Sequence, residues 1–325
     1  MQIDQPAVAD IGFEQLGLDH IRKVQERIAP YAKPTPIVAM SASGLNLKAE
    51  NLHPTGAFKM RGAFNALLSL SPAQKRNGVA APSSGNHAQA VSYAARVLGI
   101  KAVVVMPADV SPAKLEATER WGAEIVLVDT LTMELAEKCA QVAAERGCTI
   151  VEPFDSAAAI AGAATIGLEI LAERPGTRSV VVPVSGGGLI AGIAAAIHQL
   201  DCSVRIIGAE PELAADAHQS LKEKRIVAWT REQTGRTIAD GLRIPSLGKR
   251  PWEYIRRYVH EIVTVSDIDI RNAMRRIAVE ARLIAEPSGA VAAAAAAKLQ
   301  IDSAETVAIL SGGNVEMSQY AALIG

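Results

Sequence analysis

The sequence predicts an α/β protein with two open, mostly parallel sheets wrapped by helices, and three observations support this prediction. Apolar residues make up 49% of the 325 residues and aromatic residues only 4%, which favours helices packed on a parallel sheet over a β-sandwich. From Val79 onward, strand-like runs alternate with helical runs, as expected for crossover connections between parallel strands. Glycine-rich or polar loops recur directly after strands, where α/β proteins bind their ligands.

The first elements are set by one helical pattern and a group of prolines. Residues 1–18 show no regular pattern and are predicted to be an irregular extension. Asp19 is a candidate N-cap for a helix over 20–29, because aspartate accepts hydrogen bonds from the first helical amides. Three prolines within 30–36 then end the helix, since proline removes a donor and fixes φ. The elements predicted next are a strand over 45–50 and a helix over 60–70.

The rest of the chain divides into two series of alternating strands and helices. In the first, strands are predicted near 79–81, 101–106, 124–128 and 149–151, and helices near 86–98, 111–121 and 132–146. In the second, strands are predicted over 179–184, 204–209, 261–265 and 306–310, and helices over 190–200, 267–282 and 288–299. We therefore predict a small α/β domain over 72–152 and a large domain assembled from 1–71 and 153–325.

Charge and cysteine content argue against several classes of protein. Lys and Arg total 33 and Asp and Glu 34, a net charge of −1, whereas nucleic-acid-binding proteins normally carry a strongly basic surface. The N-terminal residues lack the cationic start and apolar run of a signal peptide. The longest apolar stretch, 288–298, is too short to span a bilayer. Three cysteines without a CxxC pair favour a reducing compartment. We therefore expect a soluble, cytoplasmic protein without a nucleic-acid or membrane partner.

A glycine loop, Ser-Gly-Gly-Gly at 185–188, follows the buried strand over 180–184. A helix comes next, so backbone N–H groups of the loop are free to bind an anion at the positive helix end. A phosphate is the natural ligand, although a plain tight turn needs the same small residues. The loop also matches the G-x-G-x-x-A pattern of dinucleotide-binding folds, with Glu210 near the spacing of a ribose-binding acid. An NAD(P)-dependent dehydrogenase is therefore an alternative from another enzyme class.

Three further loops favour a different chemistry. Lys59 lies in T-G-A-F-K-M-R-G, between a glycine turn and a helix; burial there would disfavour its charged form and leave an amine able to form an imine. The loop S-S-G-N-H at 83–87 opens a predicted helix, and its hydroxyls, carboxamide and free N–H groups suit a carboxylate. The third loop, S-G-G-N at 311–314, again follows a strand. Each alone has a simpler explanation, as a surface lysine, an N-cap or a turn, but a dehydrogenase has no evident need for all three.

Together these motifs resemble the fold-type II pyridoxal-phosphate enzymes, specifically the serine/threonine dehydratase and serine racemase group. The resemblance covers residues 19–315 and follows the family's order of motifs: T-G-A-F-K-x-R-G, S-S-G-N-H, the glycine loop after V-P-V, A-D-G, E-P-S-G and S-G-G-N. It implies the two-domain, tryptophan synthase β-like fold, pyridoxal 5′-phosphate as cofactor and a homodimer. The glycine loop departs from many relatives, because it begins with Ser185 instead of a fourth glycine.

The resemblance implies a role for each matching residue. Lys59 would hold the cofactor as an internal aldimine and, once freed, remove the substrate Cα proton. Ser84 would re-protonate Cα from the opposite face, as in the racemases of this group. The residues implied in cofactor binding are Phe58, Lys59, Asn86, Ser185, Gly186, Gly187, Gly188, Gly241, Glu286 and Ser311, and those implied in substrate binding are Ser83, Ser84, Gly85, Asn86 and His87.

The resemblance also implies a cation site after the strand that ends near Glu210. Glu210 and Asp216 would supply carboxylates, and Ala214 its backbone carbonyl. Hard oxygen ligands of this kind suit Mg²⁺, Ca²⁺ or Mn²⁺. The same spacing of carboxylates also fits an exposed acidic turn.

The activity implied is β-elimination of water from L-threonine or L-serine, giving a 2-oxo acid and ammonia. Ser84 leaves a serine racemase, or a dual racemase and dehydratase, as an alternative on the same scaffold. Segment 128–135 has no arginine, whereas related racemases have one near Leu135 that approaches a second carboxylate. Its absence favours a neutral substrate over hydroxyaspartate, because a buried carboxylate needs a cation. Another hydroxy amino acid, a β-replacement synthase and a non-catalytic cofactor binder stay open as alternatives.

Overall fold

The computed structural model describes residues 16–299 and 301–325. Its α-helices are α1 Leu18–Ile28, α2 Lys59–Leu68, α3 Pro72–Asn77, α4 Asn86–Leu98, α5 Pro112–Glu119, α6 Leu135–Arg146, α7 Ala157–Glu173, α8 Gly188–Leu200, α9 Asp216–Glu223, α10 Arg231–Thr234, α11 Lys249–Tyr258, α12 Asp267–Arg276, α13 Pro287–Lys298 and α14 Met317–Ile324. Its strands are β1 Ile37–Ala39, β2 Asn46–Ala49, β3 Val79–Pro82, β4 Ala102–Pro107, β5 Glu124–Val128, β6 Thr149–Ile150, β7 Ser179–Pro183, β8 Arg205–Pro211, β9 Glu261–Val265 and β10 Thr306–Leu310. The chain is therefore an α/β protein, as predicted.

The larger sheet has the strand order β1-β2-β10-β7-β8-β9. β1 runs antiparallel to β2, and the other neighbouring pairs are parallel. Both faces of the sheet are covered by helices: Val180 and Val182 pack in the apolar cluster with α7 and α8, whereas Val181 packs in the cluster with α12 and α13. This alternation is the period of a strand that is buried on both faces, which explains why β7 is apolar throughout.

The smaller sheet has the strand order β5-β4-β3-β6, and all of its pairs are parallel. Ala80 of β3 packs against α6, whereas Val79 and Ala81 pack in the cluster that contains α4. The four strands come from one continuous stretch, and the strands of the larger sheet flank it in the sequence. The proposed domain boundaries at 72 and 152 stay a prediction.

The carboxyl ends of the strands bring the predicted loops together. Residues 83–87 follow β3, residues 185–188 follow β7, and Ser311 follows β10. Ala57 forms an isolated bridge with Gly312, which places the start of α2 beside the end of β10. The site is therefore built where parallel strands end, as α/β architecture favours.

The first helix begins differently from the prediction. α1 starts at Leu18 with Gly17 as N-cap, and no side chain caps it. Asp19, the predicted cap, lies instead in the first turn and pairs with Arg22 at 3.3 Å. A carboxylate in that position interacts favourably with the helix dipole without capping the amides. Most of the predicted N-terminal extension, residues 1–15, lies outside the described residues.

The helix predicted over 267–282 has nearly the predicted extent, but its last turn is not α-helical. α12 ends at Arg276, a π-helical turn Ile277–Ala281 follows, and Arg282 has a positive φ of 58°. Because Arg282 is not glycine, the sequence carries no signal for this left-handed residue. The elements that the sequence did not predict are β1, α3, α7, α9, α10, α11 and α14.

Helix length and the state of the cysteines can be read directly from the structure. Across residues 16–299 and 301–325, every helix is too short or too polar to cross a membrane. Cys139, Cys148 and Cys202 are all free thiols, in agreement with the prediction that they form no disulfide framework.

Candidate active site

One cavity of about 880 Å³ lies between the two sheets. Its wall includes every residue predicted to bind cofactor or substrate, namely Phe58, Lys59, Ser83, Ser84, Gly85, Asn86, His87, Ser185, Gly186, Gly187, Gly188, Gly241, Glu286 and Ser311. These residues come from both sheets and are distant in the sequence. The structure therefore brings the separate motifs into a single site.

Lys59 is the first residue of α2, and its side chain is half-buried in the cavity wall. Its Nζ donates a hydrogen bond to the backbone oxygen of Pro153 at 2.6 Å and lies 5.1 Å from the centre of the Phe58 ring. Burial lowers the pKa of Lys59 to about 8. About a tenth of the amine is therefore neutral, and so nucleophilic, at pH 7, and this fraction rises with pH. Pro153 carried no sequence signal, because its backbone oxygen makes the contact.

The glycine loop at 185–188 is shaped so that larger residues do not fit. Gly187 has a φ of 89°, and a Cβ on Gly188 would lie 2.8 Å from the Phe154 backbone oxygen. A Cβ on Gly186 would lie 2.4 Å from the Phe154 ring. The hydroxyl of Ser185 is buried and lacks a hydrogen-bond partner. Together with the N-terminus of α8, this orphaned hydroxyl forms a cradle suited to an anion.

The loop at 83–87 presents hydroxyls and backbone amides to the same cavity. It leads into α4, whose N-cap Gly85 offers no side-chain cap, so the first amides of the helix are available to a ligand. His87 Nε2 lies 2.8 Å from the backbone oxygen of Val151. Burial, with the nearby charge of Lys59, lowers the pKa of His87 to about 3. The ring therefore stays neutral, and His87 contributes no cation to the loop.

Asn86 is held by hydrogen bonds to two residues from other loops. Its Nδ2 donates to Glu286 Oε1 at 2.6 Å, and its Oδ1 accepts from Asn314 Nδ2 at 2.7 Å. Burial and the charge of Asp240 raise the pKa of Glu286 to about 8. Asn314 was not predicted as a site residue by itself, although its motif S-G-G-N was the available signal. These bonds fix the orientation of the Asn86 amide in the cavity.

Gly241 and Ser311 complete the wall next to the Phe58 ring. The Gly241 N–H donates to Ser288 Oγ at 2.9 Å, which anchors the irregular segment before α11. Ser311 is buried, and its backbone oxygen accepts from the Phe58 N–H at 3.0 Å. Ser311 offers only a neutral hydroxyl to a group bound beside it.

Two ion pairs span the mouth of the cavity and were not predicted. Lys114 of α5 pairs with Asp240, and Arg231 of α10 pairs with Glu134 at 2.5 Å. In each pair one partner comes from the segment of the smaller sheet and the other from the segment between β8 and β9. Lys114, Arg231 and Asp240 line the cavity, so two of its cationic side chains have acidic partners. Arg120 and Arg243 line it as well.

Glu210, Ala214 and Asp216 lie together at a second place, at the end of β8. Glu210 accepts hydrogen bonds from the Ala217 and His218 amides at 3.2 and 2.7 Å, whereas both carboxylate oxygens of Asp216 are buried without a partner. Burial, with Asp216 nearby, raises the pKa of Glu210, and burial raises that of Asp216 to about 7. The site is therefore buried, which excludes the alternative of an exposed acidic turn.

The cavity defines a class of protein. It combines a weakly basic lysine amine with an anion cradle, an arrangement suited to a phosphate-bearing aldehyde that is held covalently on the lysine. The site is therefore that of an enzyme with such a cofactor. Residues 28–312 match the family described as "Pyridoxal-phosphate dependent enzyme", and the chain belongs to this family. Glu210 is engaged by the amides of α9, so it is not available as the ribose-binding acid of the dehydrogenase alternative.

Comparison with individual proteins shows which members of this family the chain is similar to. The chain is 36% identical over 321 residues to the L-threonine dehydratase catabolic TdcB of Staphylococcus aureus strain N315, covering 95% of this chain and 92% of the relative. It superposes on maize serine racemase with a TM-score of 0.88 at 34% identity, covering 95% and 97% of the two chains. For a threonine deaminase from T.th. the TM-score is 0.83 at 40% identity, covering 92% and 99%. The predicted fold-type II fold and the dehydratase and racemase group are confirmed.

Proposed function

We propose that this chain eliminates water from a neutral β-hydroxy amino acid, L-threonine or L-serine, to give a 2-oxo acid and ammonia. The observation that supports it best is the single cavity in which the Lys59 amine lies with the glycine cradle and the 83–87 loop. Similarity to a protein named L-threonine dehydratase over 95% of this chain supports the same reaction. The similarity to maize serine racemase supports racemisation as the second candidate.

The residues of the cavity fit pyridoxal 5′-phosphate. Lys59 would hold its aldehyde carbon, and the orphaned Ser185 hydroxyl and the amides of 186–188 would bind its phosphate. Asn86 would donate to its ring oxygen, Phe58 would pack beside the ring, and Ser311 would face the ring nitrogen. Gly241 and Glu286 would line the same pocket. When bound, the cofactor supplies an electron sink that makes the substrate Cα–H acidic.

Two side chains then divide the proton transfers at Cα. The neutral Lys59 Nζ takes the Cα proton, and its pKa of about 8 suits a base that works near neutral pH. The Ser84 hydroxyl would return a proton from the opposite face, which is the step that racemisation needs. The substrate carboxylate would be held by the amides and hydroxyls of Ser83, Ser84, Gly85, Asn86 and His87, since the His87 ring stays uncharged.

The mouth of the cavity favours a substrate without a second carboxylate. The guanidinium of Arg231 approaches the segment before α6 from the opposite side, but Glu134 neutralises it at 2.5 Å. Lys114 is likewise neutralised by Asp240. Displacing one of these acids costs at most about 1 kcal/mol, because both pairs are largely exposed. Segment 128–135, which has no arginine, supports a neutral substrate, so hydroxyaspartate is the weaker candidate.

The test is an assay of the purified protein reconstituted with pyridoxal phosphate. We expect L-threonine or L-serine to give 2-oxo acid and ammonia in equal amounts, and hydroxyaspartate to react at least roughly tenfold more slowly, a difference of about 1.4 kcal/mol. In Ser84→Ala, elimination is expected to persist and any inversion of L-serine to D-serine to be lost. Inversion without ammonia would replace the proposal by the racemase, and absence of both reactions would refute it.

We also propose that Glu210, Ala214 and Asp216 bind a divalent cation. The buried, unpartnered carboxylate of Asp216 supports this proposal, because buried charges need a partner. Within the described residues no group of three or more His, Cys, Asp or Glu side chains could hold a metal. The remaining ligands would therefore be the Ala214 carbonyl and water, as Mg²⁺, Ca²⁺ and Mn²⁺ accept.

Adding Mg²⁺, Ca²⁺ or Mn²⁺ to the chelator-treated protein is expected to raise its Tm. A cation at a hundredfold excess over its Kd stabilises the folded state by about 2.7 kcal/mol, which corresponds to a few degrees. Asp216→Asn is expected to remove this shift, and Asp129→Asn, an exposed position in the smaller sheet's segment, to keep it. If none of the three cations changes the Tm of the wild-type protein, the proposed cation site is wrong.

Three broader features complete the proposal. A homodimer is supported by the exposed apolar side chains of Leu52 and Ile284, which are brought together by a hydrogen bond from Asn51 Nδ2 to the Ile284 oxygen at 2.9 Å. Three free thiols support a cytoplasmic location. The separate sheets support a small domain over 72–152 that closes on the large domain over bound substrate.

A further inference from the structure

The motif around Lys59 contains a second basic residue, Arg61, that the proposed reaction does not use. Its side chain is 1% exposed, although a guanidinium is always charged in proteins. Two positions along an α-helix differ by a rotation of about 200°. Arg61 therefore extends from α2 into the core, away from the cavity wall that holds Lys59.

All N–H donors of Arg61 are used. Nε and Nη2 donate to Glu50 Oε2 and Oε1 at 2.7 and 2.8 Å. Nη1 and Nη2 donate to Glu169 Oε1 and Oε2 at 2.5 and 2.8 Å, and Nη1 also donates to Thr165 Oγ1 at 3.0 Å. Glu50 directly follows β2, and Glu169 and Thr165 belong to α7. The guanidinium therefore joins three elements through two bidentate pairs, which are geometrically specific.

The partners of Arg61 are satisfied in turn. Lys48 Nζ lies 2.7 Å from Glu169 Oε2 and donates to the Thr35 backbone oxygen at 2.5 Å, while Thr35 Oγ1 donates to Glu50 Oε1 at 2.6 Å. Although burial opposes it, the guanidinium holds the pKa of Glu50 well below its usual range. Lys48, Glu50, Arg61 and Glu169, the Arg61 cluster, are therefore two cations and two carboxylates in balance.

A close backbone contact lies beside the cluster. A Cβ on Gly162 of α7 would lie 2.7 Å from the Cα of Gly62. α2 and α7 therefore touch through their backbones, one residue after Arg61. With the contact and the guanidinium both in place, α2 has little freedom to rotate or slide on α7.

We propose that Arg61 is a positioning residue: by clamping the first turn of α2 to β2 and α7, it sets where the Lys59 amine stands on the cavity wall. The inference rests on the proposed role of Lys59. A buried ion cluster adds little net stability over apolar packing, so a role in geometry accounts for its presence better than stability does. The reaction is sensitive to such geometry, since small misplacements of reacting groups slow catalysis strongly.

The test replaces Arg61 by Lys, which keeps the charge but cannot form two bidentate pairs. We expect Arg61→Lys to keep KM within about twofold and to lose kcat by roughly tenfold or more, because a misplaced amine affects the reaction step more than substrate binding. A second readout uses the apoprotein. The rate at which Lys59 captures pyridoxal phosphate, trapped with borohydride and located by peptide mapping, is expected to fall by a similar factor.

Ile270→Ala is the control for lost stability. Ile270 is buried in α12, so this variant is expected to lower Tm while it keeps the wild-type capture rate and kcat. Should Arg61→Lys also keep both rates while its Tm falls, the cluster only stabilises the fold and the proposal is wrong. The proposal is also wrong if Ile270→Ala and Arg61→Lys lower Tm equally and slow the capture of pyridoxal phosphate by the same factor.

Thr165→Val provides a milder change where Arg61→Lys does not fold. It removes the 3.0 Å bond that Thr165 Oγ1 accepts from Nη1 and the 2.7 Å bond that it donates to the Gly162 oxygen within α7. We expect the same pattern with smaller effects; unchanged rates in this variant would overturn the proposal. Capture does not require dehydratase activity. Slower capture by Arg61→Lys in a protein that dehydrates no amino acid would therefore refute the proposed function and leave this inference standing.

Discussion

Lys59→Ala is expected to abolish dehydration, lowering kcat/KM by more than roughly 10²- to 10⁴-fold, the range that loss of a general base alone produces. The variant loses the amine that holds the cofactor and the group that takes the Cα proton. The measurement is formation of 2-oxo acid and ammonia, together with the absorbance of the reconstituted protein near ~410 nm, where a lysine-bound cofactor absorbs. We expect that band to be missing in Lys59→Ala and to be retained in Lys75→Ala, a change at a half-buried lysine outside the cavity.

The low pKa of Lys59 gives a second signature of the same residue. Below pH 8 the amine is mainly protonated and unreactive, and above it mainly neutral. Capture of pyridoxal phosphate by the wild-type apoprotein is therefore expected to accelerate with rising pH and to level off above about 8. An exposed lysine has a pKa of about 10.4. If the capture rate still rises well above pH 8, as it would for such a lysine, burial does not lower the pKa of Lys59 as described. Dehydration that survives in Lys59→Ala would remove Lys59 from the reaction.

Gly188→Ala is expected to weaken pyridoxal phosphate binding by roughly ten- to a hundredfold, or about 1.4 to 2.8 kcal/mol. A Cβ at this position would lie 2.8 Å from the Phe154 backbone oxygen, so the backbone has to move. The movement disturbs the anion cradle at 185–188. The measurement is the Kd of the cofactor from titration of the apoprotein.

Gly176→Ala is the matched control, because a Cβ there meets nothing within 4 Å. It is expected to bind the cofactor as the wild type does. Pyridoxal, which lacks the phosphate, tests the rest of the site without the cradle. It is expected to bind more weakly than pyridoxal phosphate, and its Kd is expected to change little in Gly188→Ala. If the two glycine variants bind pyridoxal phosphate equally well, the loop at 185–188 does not hold the phosphate.

The loops of the site were predictable because their chemistry is local. Each motif places its functional residues within a few positions, directly after a strand whose apolar run is visible in the sequence. Ser83 follows β3, Ser185 follows β7 and Ser311 follows β10. Parallel strands place such loops at one edge of a sheet. The order of strands and helices along the chain was therefore enough to predict that these loops meet. The order of motifs then identified the group to which the chain belongs.

Other features depend on contacts that no local pattern encodes. α7 is buried on nearly all sides, from Ile160 to Ile170, so it lacks the polar face that makes an amphipathic helix recognisable. The ion pairs of Lys114 with Asp240 and of Arg231 with Glu134 join residues 126 and 97 positions apart. Only the packed structure shows that these charges neutralise one another at the cavity mouth.

The position of β10 has a consequence for how the protein is made. β10 lies between β2 and β7, yet it is the last strand of the larger sheet to leave the ribosome. Until Thr306–Leu310 emerge, β1 and β2 cannot join β7, β8 and β9, and two apolar strand edges stay open. All strands of the smaller sheet emerge earlier and in one stretch, so we expect it to fold first. The nascent chain is thus most prone to aggregation shortly before β10 emerges, and pulse proteolysis of chains stalled before and after residue 310 would reveal the difference.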